Sequence, residues 1–309
     1  MINRLVKTSA VAVISLSLLS ACGESDIEAI EERQLAEAQR NVQGTTNETD
    51  TGAAMEPENA GVDLTEYELI FSDEFDEQEL SALKWSTALP WGSDLIINGE
   101  LQYYVDIQQN PDMGYNPFSF DGEALVINAI PTPDHLKSSA NEQSYLSGAI
   151  SSADKFDMTF GYIEARMDFP VGAGLWPAFW MLSTEFVDLR PQLFIAEGDG
   201  AKSDSVFHNY NYHDEEGNLR SPGQWQVSQE TLTEGFHTFG VEWSEEELLF
   251  YVDGVPRYRV VGEKVSKQAM YLIANLAVGG VWTGPPDAQT QFPAQLKIDY
   301  IRAYKIKAD

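Results

Sequence analysis

"GYIEARMDFPVGAGLWPAFWMLSTEFVDLRPQLFIAEGDG", residues 161–200, carries the segments on which both fold and chemistry turn. In "YIEARMDF" the residue types alternate, with Tyr162, Glu164, Arg166 and Asp168 on one face and Ile163, Ala165, Met167 and Phe169 on the other. A period of two is the signature of a β-strand. One polar and one apolar face suit a concave sheet whose inner surface is a binding cleft. In "LWPAFWML", Trp176 and Trp180 are an even number of residues apart, so on a strand they share a face. The final segment, "PQLFIAEGDG", holds one acid, Glu197, in its strand-like part.

Runs of the same β-rich kind recur on both sides, among them "ALVINAI", "HTFGVEW", "RYRVV", "MYLIANLAV" and "LKIDYIRAYKI". Turn signals separate them. "LFYVDGVPRYRV" predicts a hairpin, with Asp253-Gly254 supplying the turn. Long helical periodicity and internal repeats are both missing. Residues 65–309 therefore predict one all-β domain, a sandwich or barrel of ordinary size.

The chain begins differently. "MINRLVKTSAVAVISLSLLSACGES" has Arg4 and Lys7, then an apolar run that ends in small residues before Cys22. That run is too short to span a bilayer and reads as a secretory signal over residues 1–21. "LSAC" is similar to a bacterial lipoprotein cleavage box, which makes Cys22 the expected lipidation site; the other reading is a plain signal peptide with an incidental cysteine. Gly23 and Glu24 follow, with no aspartate retention signal, so the expected destination is the outer membrane, facing periplasm or cell surface. Residues 22–64 are acidic and lack aromatics, too poor in apolar surface to offset ordering entropy, and predict a flexible tether.

Composition excludes several classes. Forty-nine acidic against 19 basic residues give a formal net charge of -30, which opposes binding to nucleic acid or to anionic headgroups. The single cysteine rules out an intrachain disulfide, and with 4 histidines and no paired-Cys or H-E-x-x-H spacing it argues against zinc. No cofactor is expected to be required, and the chain is expected to act as a monomer.

"IFSDEFDEQELSALKW", "NGELQYY", "SGAISS", the 161–182 segment, "GFHTFGVEWSEEELLFYVDG" and "NLAVGGVWTG" with "FPAQLKIDYIRAYK" occur in an order that resembles glycoside hydrolase family 16. The resemblance covers nearly all of residues 67–306 and is nearest to laminarinase-type β-1,3-glucanases. It implies a β-jelly roll of two antiparallel sheets with a glycan cleft on the concave side. It also implies a β-1,3- or mixed-linkage glucan as ligand, although relatives of this kind also take agars and carrageenans.

The same resemblance locates a departure. The family's catalytic strand reads E-I-D-I-x-E, with nucleophile, assisting acid and acid/base in that order. A one-residue bulge returns the last Glu to the face of the first two. Here those positions hold Gln192, Phe194 and Glu197. An amide cannot form a stable glycosyl ester and Phe194 cannot hold a proton, so double displacement should be crippled. Asp199, Glu185 and Asp188 are the nearest other acids, the last two in an expected loop "STEFVDLR".

By the resemblance, Trp176 and Trp180 wall the cleft, Asn98 lies near the non-reducing sugar subsites, and Trp282 borders the cleft in a glycine-rich loop. His208 is expected to contact sugar, and Arg166 to face the cleft or form an ion pair across the sheet. His237 is expected to be structural. Glu74 and Asp299 stand where some relatives bind a structural calcium. Three readings remain open on sequence: a hydrolase with altered chemistry around Glu197, a glycan-binding lipoprotein using the same cleft, and a lyase. In the lyase, Gln192 would hold a sugar carboxylate while His208 or a tyrosine takes the proton.

Overall fold

The computed structural model describes residues 53–54, 62–187, 189–227, 232 and 235–307. The expected signal segment, Cys22 and most of the expected tether lie outside the described residues. Two residues of that segment, Ala53–Ala54, form a short strand paired antiparallel with Val255–Val261.

Eight strands and one short helix position the site. In chain order they are β1 (Gly161–Asp168), β2 (Leu175–Val187), β3 (Arg190–Glu197), β4 (Ser205–His213), β5 (Gln224–Val227), β6 (His237–Trp243), β7 (Met270–Val278), α1 (Gly280–Thr283) and β8 (Ala294–Ile306). An eight-stranded antiparallel sheet runs β4-β3-β2-β7 through its centre, with β5 also paired to β4. An eleven-stranded sheet carries β6-β1-β8 at its centre. The expected jelly-roll sandwich is the observed fold.

Alternation builds the core. Phe179 and Met181 of β2, Leu193 and Ile195 of β3, and Leu272, Ala274 and Leu276 of β7 turn inward from the first sheet. They meet Ile163, Ala165 and Met167 of β1, Phe239 and Val241 of β6, and Ile298 and Ile301 of β8. The hairpin predicted at Asp253-Gly254 is present: both residues have positive φ, 52° and 73°, as a two-residue turn matching strand twist requires. The expected loop "STEFVDLR" is instead largely strand, because β2 continues to Val187. Among the described residues no helix is long and apolar enough to cross a membrane.

The polar face of β1 goes elsewhere than expected. β1 belongs to the eleven-stranded sheet, and the concave cleft is lined from the other one. Tyr162 donates to Glu164 at 3.0 Å, while Arg166 pairs with Asp299 and lies 4.7 Å from the ring centre of Phe236. A sandwich has two outward faces. Strand alternation separates inside from outside but does not say which sheet carries the cleft.

Candidate active site

The bulge expected in the catalytic strand is there. Phe194 pairs with Asn209 and Glu197 with Phe207, so two residues of β3 oppose the single His208 of β4. Across the other edge, Trp180 pairs with Phe194 and Phe179 with Ala196, which makes Ile195 the extra residue. A bulge takes a carbonyl out of the ladder, and a buried carbonyl needs a donor. His208 supplies it: its Nδ1 lies 2.5 Å from the Ile195 carbonyl oxygen. The ring is fully buried, tilted against Phe250 of the opposite sheet, and burial pushes its pKa down to about 4. His208 thus holds, from the core side, the bulge that turns Glu197 toward the cleft. It does not reach sugar, which corrects its expected role and removes it as the base of a lyase.

At the nucleophile end the cleft floor is made of amides. Asn211 Nδ2 donates to Gln192 Oε1 at 3.0 Å, and Asn209 Nδ2 donates to Asn211 Oδ1 at 3.0 Å. Asn209 is braced in turn by Ser221, which both donates to and accepts from it. Strand parity explains the set: residues 207, 209 and 211 of β4 face the cleft, beside Gln192 of β3. Phe194 stacks on Trp180 at 5.2 Å and 14°, filling the assisting-acid position with hydrocarbon. Arg190, two residues before Gln192, lines the same floor.

The acid end is different in kind. Glu197 is buried and accepts from Trp176 Nε1 at 3.1 Å. Trp176 packs on Trp282 of α1 (ring centres 5.0 Å apart), and Trp282 stacks on Trp225 of β5 at 5.3 Å and 13°. Lys202 lies 4.1 Å over the Trp225 ring and is paired with Asp199 at 3.1 Å, so Asp199 is committed to a lysine.

A second carboxyl lines this cleft, Glu100 of "NGELQYY". Asn98 Nδ2 and Gln102 Nε2 donate to its two oxygens, and burial pushes its pKa up to about 7 against those bonds. Asn98 has φ 57°, so it serves the turn before Gly99 and lines the cleft as well. Glu100 is not a neighbour of Glu197. Glu197 pairs onto β2, β2 onto β7, and Glu100 bridges Gly279 just beyond β7. Three inter-strand spacings, roughly 14 Å, separate them across the sheet, and an offset of four residues from Asn275 to Gly279, roughly 13 Å, separates them along it. The Trp176 indole spans the gap, its N–H on Glu197. Its far edge is beside Gly280, where a Cβ would stand 3.3 Å from Trp176 Cζ3 and 3.4 Å from Glu100 Cγ.

The structure therefore brings Glu197, Gln192, Trp176, Trp180, Asn98 and Trp282 together in one cleft, and leaves Arg166 and His208 out of it. Glu185 is exposed, and Asp188 lies outside the described residues. Glu74 gives both carboxylate oxygens to Arg302, at 3.0 and 2.6 Å, and Asp299 is held by Arg166. Among the described residues no three His, Cys, Asp or Glu side chains converge on a cation position. Glu74 and Asp299 do not fit the expected calcium. His237 bonds Asp253 at 2.8 Å on the far sheet, the structural part expected of it. Glu100, Arg190, Asn209 and Asn211 were missed from the sequence. Parity in "FHNYN", counted from Glu197 through one bulge, would have found the two asparagines.

Comparison with known proteins agrees with this architecture. The family model for glycosyl hydrolases family 16 matches residues 118–302, and the chain belongs to that family. It is 35% identical over 246 residues to the endo-1,3-1,4-beta-glycanase ExsH of Rhizobium meliloti (strain 1021), a match that takes in 77% of this chain and 52% of the relative. It is 31% identical over 265 residues to a beta-glucanase of Rhodothermus marinus, covering 77% of this chain and 85% of that protein. Among solved structures, the laminarinase catalytic domain from Thermotoga maritima MSB8 superposes with a TM-score of 0.66 at 31% identity, over 79% of this chain and all of that one. The chain spans about half the length of ExsH.

Proposed function

We propose that the chain holds a β-1,3- or mixed-linkage glucan in the concave cleft and binds it without the covalent double displacement that a complete catalytic strand would perform. The observation that carries this reading is the state of position 192. Its carboxamide is tied to Asn211, Phe194 beside it is stacked on Trp180, and neither can serve as a carboxylate near Glu197. A retaining glycosidase needs its two carboxyls ~5–5.5 Å apart across one bond. The printed activities of the relatives, a 1,3-1,4-beta-glycanase and a beta-glucanase, support glucan as the ligand class. In the same proposal the chain is exported, lipidated at Cys22 and displayed from the outer membrane as a monomer, so that glycan captured in the cleft is kept at the cell.

A second reading is hydrolysis with inversion, and Glu100 is the observation in its favour: a cleft carboxyl that titrates at about pH 7. Inversion asks for ~6.5–9.5 Å between carboxyls. The Trp176 indole between Glu100 and Glu197 argues for two subsites rather than one bond.

The test is laminarin and lichenan binding together with reducing-end release, for the wild type, Glu197→Gln and the double variant Gln192→Glu/Phe194→Asp. The expected result is binding without release in the wild type and in Glu197→Gln, with release appearing in the double variant. Release by the wild type that disappears in Glu197→Gln would overturn the binding reading.

A further inference from the structure

We propose that Tyr104 is a specificity-determining residue of the cleft: its hydroxyl gives a hydrogen bond to a sugar oxygen and takes none back, so the subsite beside Trp180 reads an oxygen for its power to accept. The inference rests on the glucan-binding reading above and adds to it a residue and a direction.

Three observations converge on it. The first is a hydrogen-bond chain whose direction is fixed at its start. An indole N–H can only donate, and Trp180 Nε1 donates to Asn275 Oδ1 at 2.8 Å. The Asn275 amide is thereby oriented, and its Nδ2 donates to the Tyr104 hydroxyl oxygen at 2.9 Å. With that oxygen serving as acceptor, the Tyr104 proton points onward, and no acceptor for it is found among the described residues. Tyr104 lines the cleft and is 5% exposed, so a buried donor at the cleft wall is left for ligand or water to answer.

The second observation is how the residue is held. Glu100, Gln102 and Tyr104 share one side of an extended segment whose Gln102–Tyr104 part is a strand paired with Tyr145–Ser147. Gln102 is fully buried and its Oε1 accepts from the Val278 N–H at 2.7 Å, which pins the segment against β7. Gln102 Nε2 and Asn98 Nδ2 occupy the two oxygens of Glu100, so the carboxyl of the same segment is already answered. Burial first, and then the charge of Glu100, hold the Tyr104 pKa well above the usual tyrosine value, so the hydroxyl keeps its proton.

The third observation is the surroundings. Leu89, Ala178, Trp180 and Ala277 line the cleft and belong with Tyr104 to one apolar cluster. Hydrocarbon of this kind excludes competing water and strengthens the hydrogen bonds made beside it. Trp180 does two things here. With one face stacked on Phe194 it builds the cleft wall, and through its N–H it sets which way the Asn275 amide points. A sugar ring that packs on this wall meets hydrocarbon and, at Tyr104, a donor of fixed direction.

The experiment is calorimetric titration of the full chain with laminaritetraose and with its series of monodeoxy and matching mono-O-methyl derivatives, in the wild type, Tyr104→Phe and Asn275→Asp. Tyr104→Phe is expected to weaken laminaritetraose binding roughly three- to tenfold. One deoxy position should cost the wild type about as much and cost Tyr104→Phe nothing further, which names the oxygen. A methyl ether at that position still accepts, and should bind the wild type within about threefold of the parent sugar. Asn275→Asp, near-isosteric, turns the chain round: a carboxylate accepts from both Trp180 and Tyr104, and the hydroxyl proton is drawn inward. In that variant the Tyr104 oxygen can only accept, so the methyl ether should bind roughly three- to tenfold worse than the parent. This reversal, which a merely structural tyrosine would not show, decides the matter if Tyr104→Phe does not fold. Equal affinity of the wild type and folded Tyr104→Phe, or a methyl ether preference unmoved by Asn275→Asp, overturns the inference and leaves the glucan-binding reading standing. Folded wild type that binds no laminaritetraose overturns both.

Discussion

The two outward faces of this sandwich treat charge in opposite ways. On the eleven-stranded sheet almost every charge named has an opposite one against it: Arg166 on Asp299, Arg302 on Glu74, Lys297 on Asp121. On the cleft sheet the carboxyls of Glu100 and Glu197 take hydrogen bonds from amides and an indole, and the amides are chained to one another with a direction. Paired charges on a half-exposed face do little beyond keeping a sheet soluble and in register. Buried polar groups oriented by neutral donors retain capacity for a ligand, and their stability is hostage to pH. The difference teaches where to look for function in a fold whose strands all alternate alike.

The largest effect that would sharpen this contrast is a hidden pH balance on the cleft side. Unfolded, Glu100 loses its proton near pH 4.5; folded, burial holds it to about 7. Its contribution to stability is present below pH 4.5 and is lost as pH rises to 7. His208 has the opposite sign. Unfolded it gains a proton near 6.5, folded only near 4, so its contribution is present above 6.5 and lost as pH falls to 4. Each swing is on the order of 3 kcal/mol. The wild type should therefore show a nearly level urea midpoint between these limits. Glu100→Gln should lose stability as pH falls, and His208→Asn should lose it as pH rises. Parallel slopes in the two variants would refute the opposed burial of these groups.

Next in size is binding. Trp176→Ala removes the indole that donates to Glu197 and packs on Trp282, and should weaken laminarin binding roughly ten- to a hundredfold. Arg166→Ala, on the other sheet, should leave affinity within about twofold. Calorimetric titration of the pair tests the assignment of faces directly, and comparable losses would mean the convex side also meets glycan.

How far the sequence carried this picture depends on what kind of information each feature needs. The all-β domain, the Asp253-Gly254 hairpin and the inward faces are local or periodic, and could be read from residue type alone. The cleft tryptophans, the bulge and the altered positions 192 and 194 became legible through resemblance, because motif order carries three-dimensional information that composition lacks. Of the two parts expected of Arg166 the ion pair across the sheet is the one present, and the cleft role expected for it and for His208 fails for two reasons. Alternation does not identify which sheet is concave, and the inward face of His208 follows only once Glu197 is known to pair with Phe207. Glu100 escaped because its cleft exposure depends on a bridge to Gly279 from far along the chain.

The smallest effect belongs to the face that looks richest in interactions. Arg302 holds Glu74 with two hydrogen bonds and lies 3.7 Å over the Tyr300 ring, an arrangement that invites a large energy. Yet the paired side chains keep about a third of their surface in water (32% and 39%), so solvent screens the attraction and the unpaired partner can be rehydrated at little cost. Replacing Arg302 by Gln should cost about 1 kcal/mol or less in urea unfolding. That cost should shrink further in high salt, and glucan affinity should not change. A loss of about 3 kcal/mol, or one indifferent to salt, would show that Arg302 is coupled into the buried Glu164–Tyr162 pair on the same sheet, and the division between a soluble face and a working face would have to be redrawn.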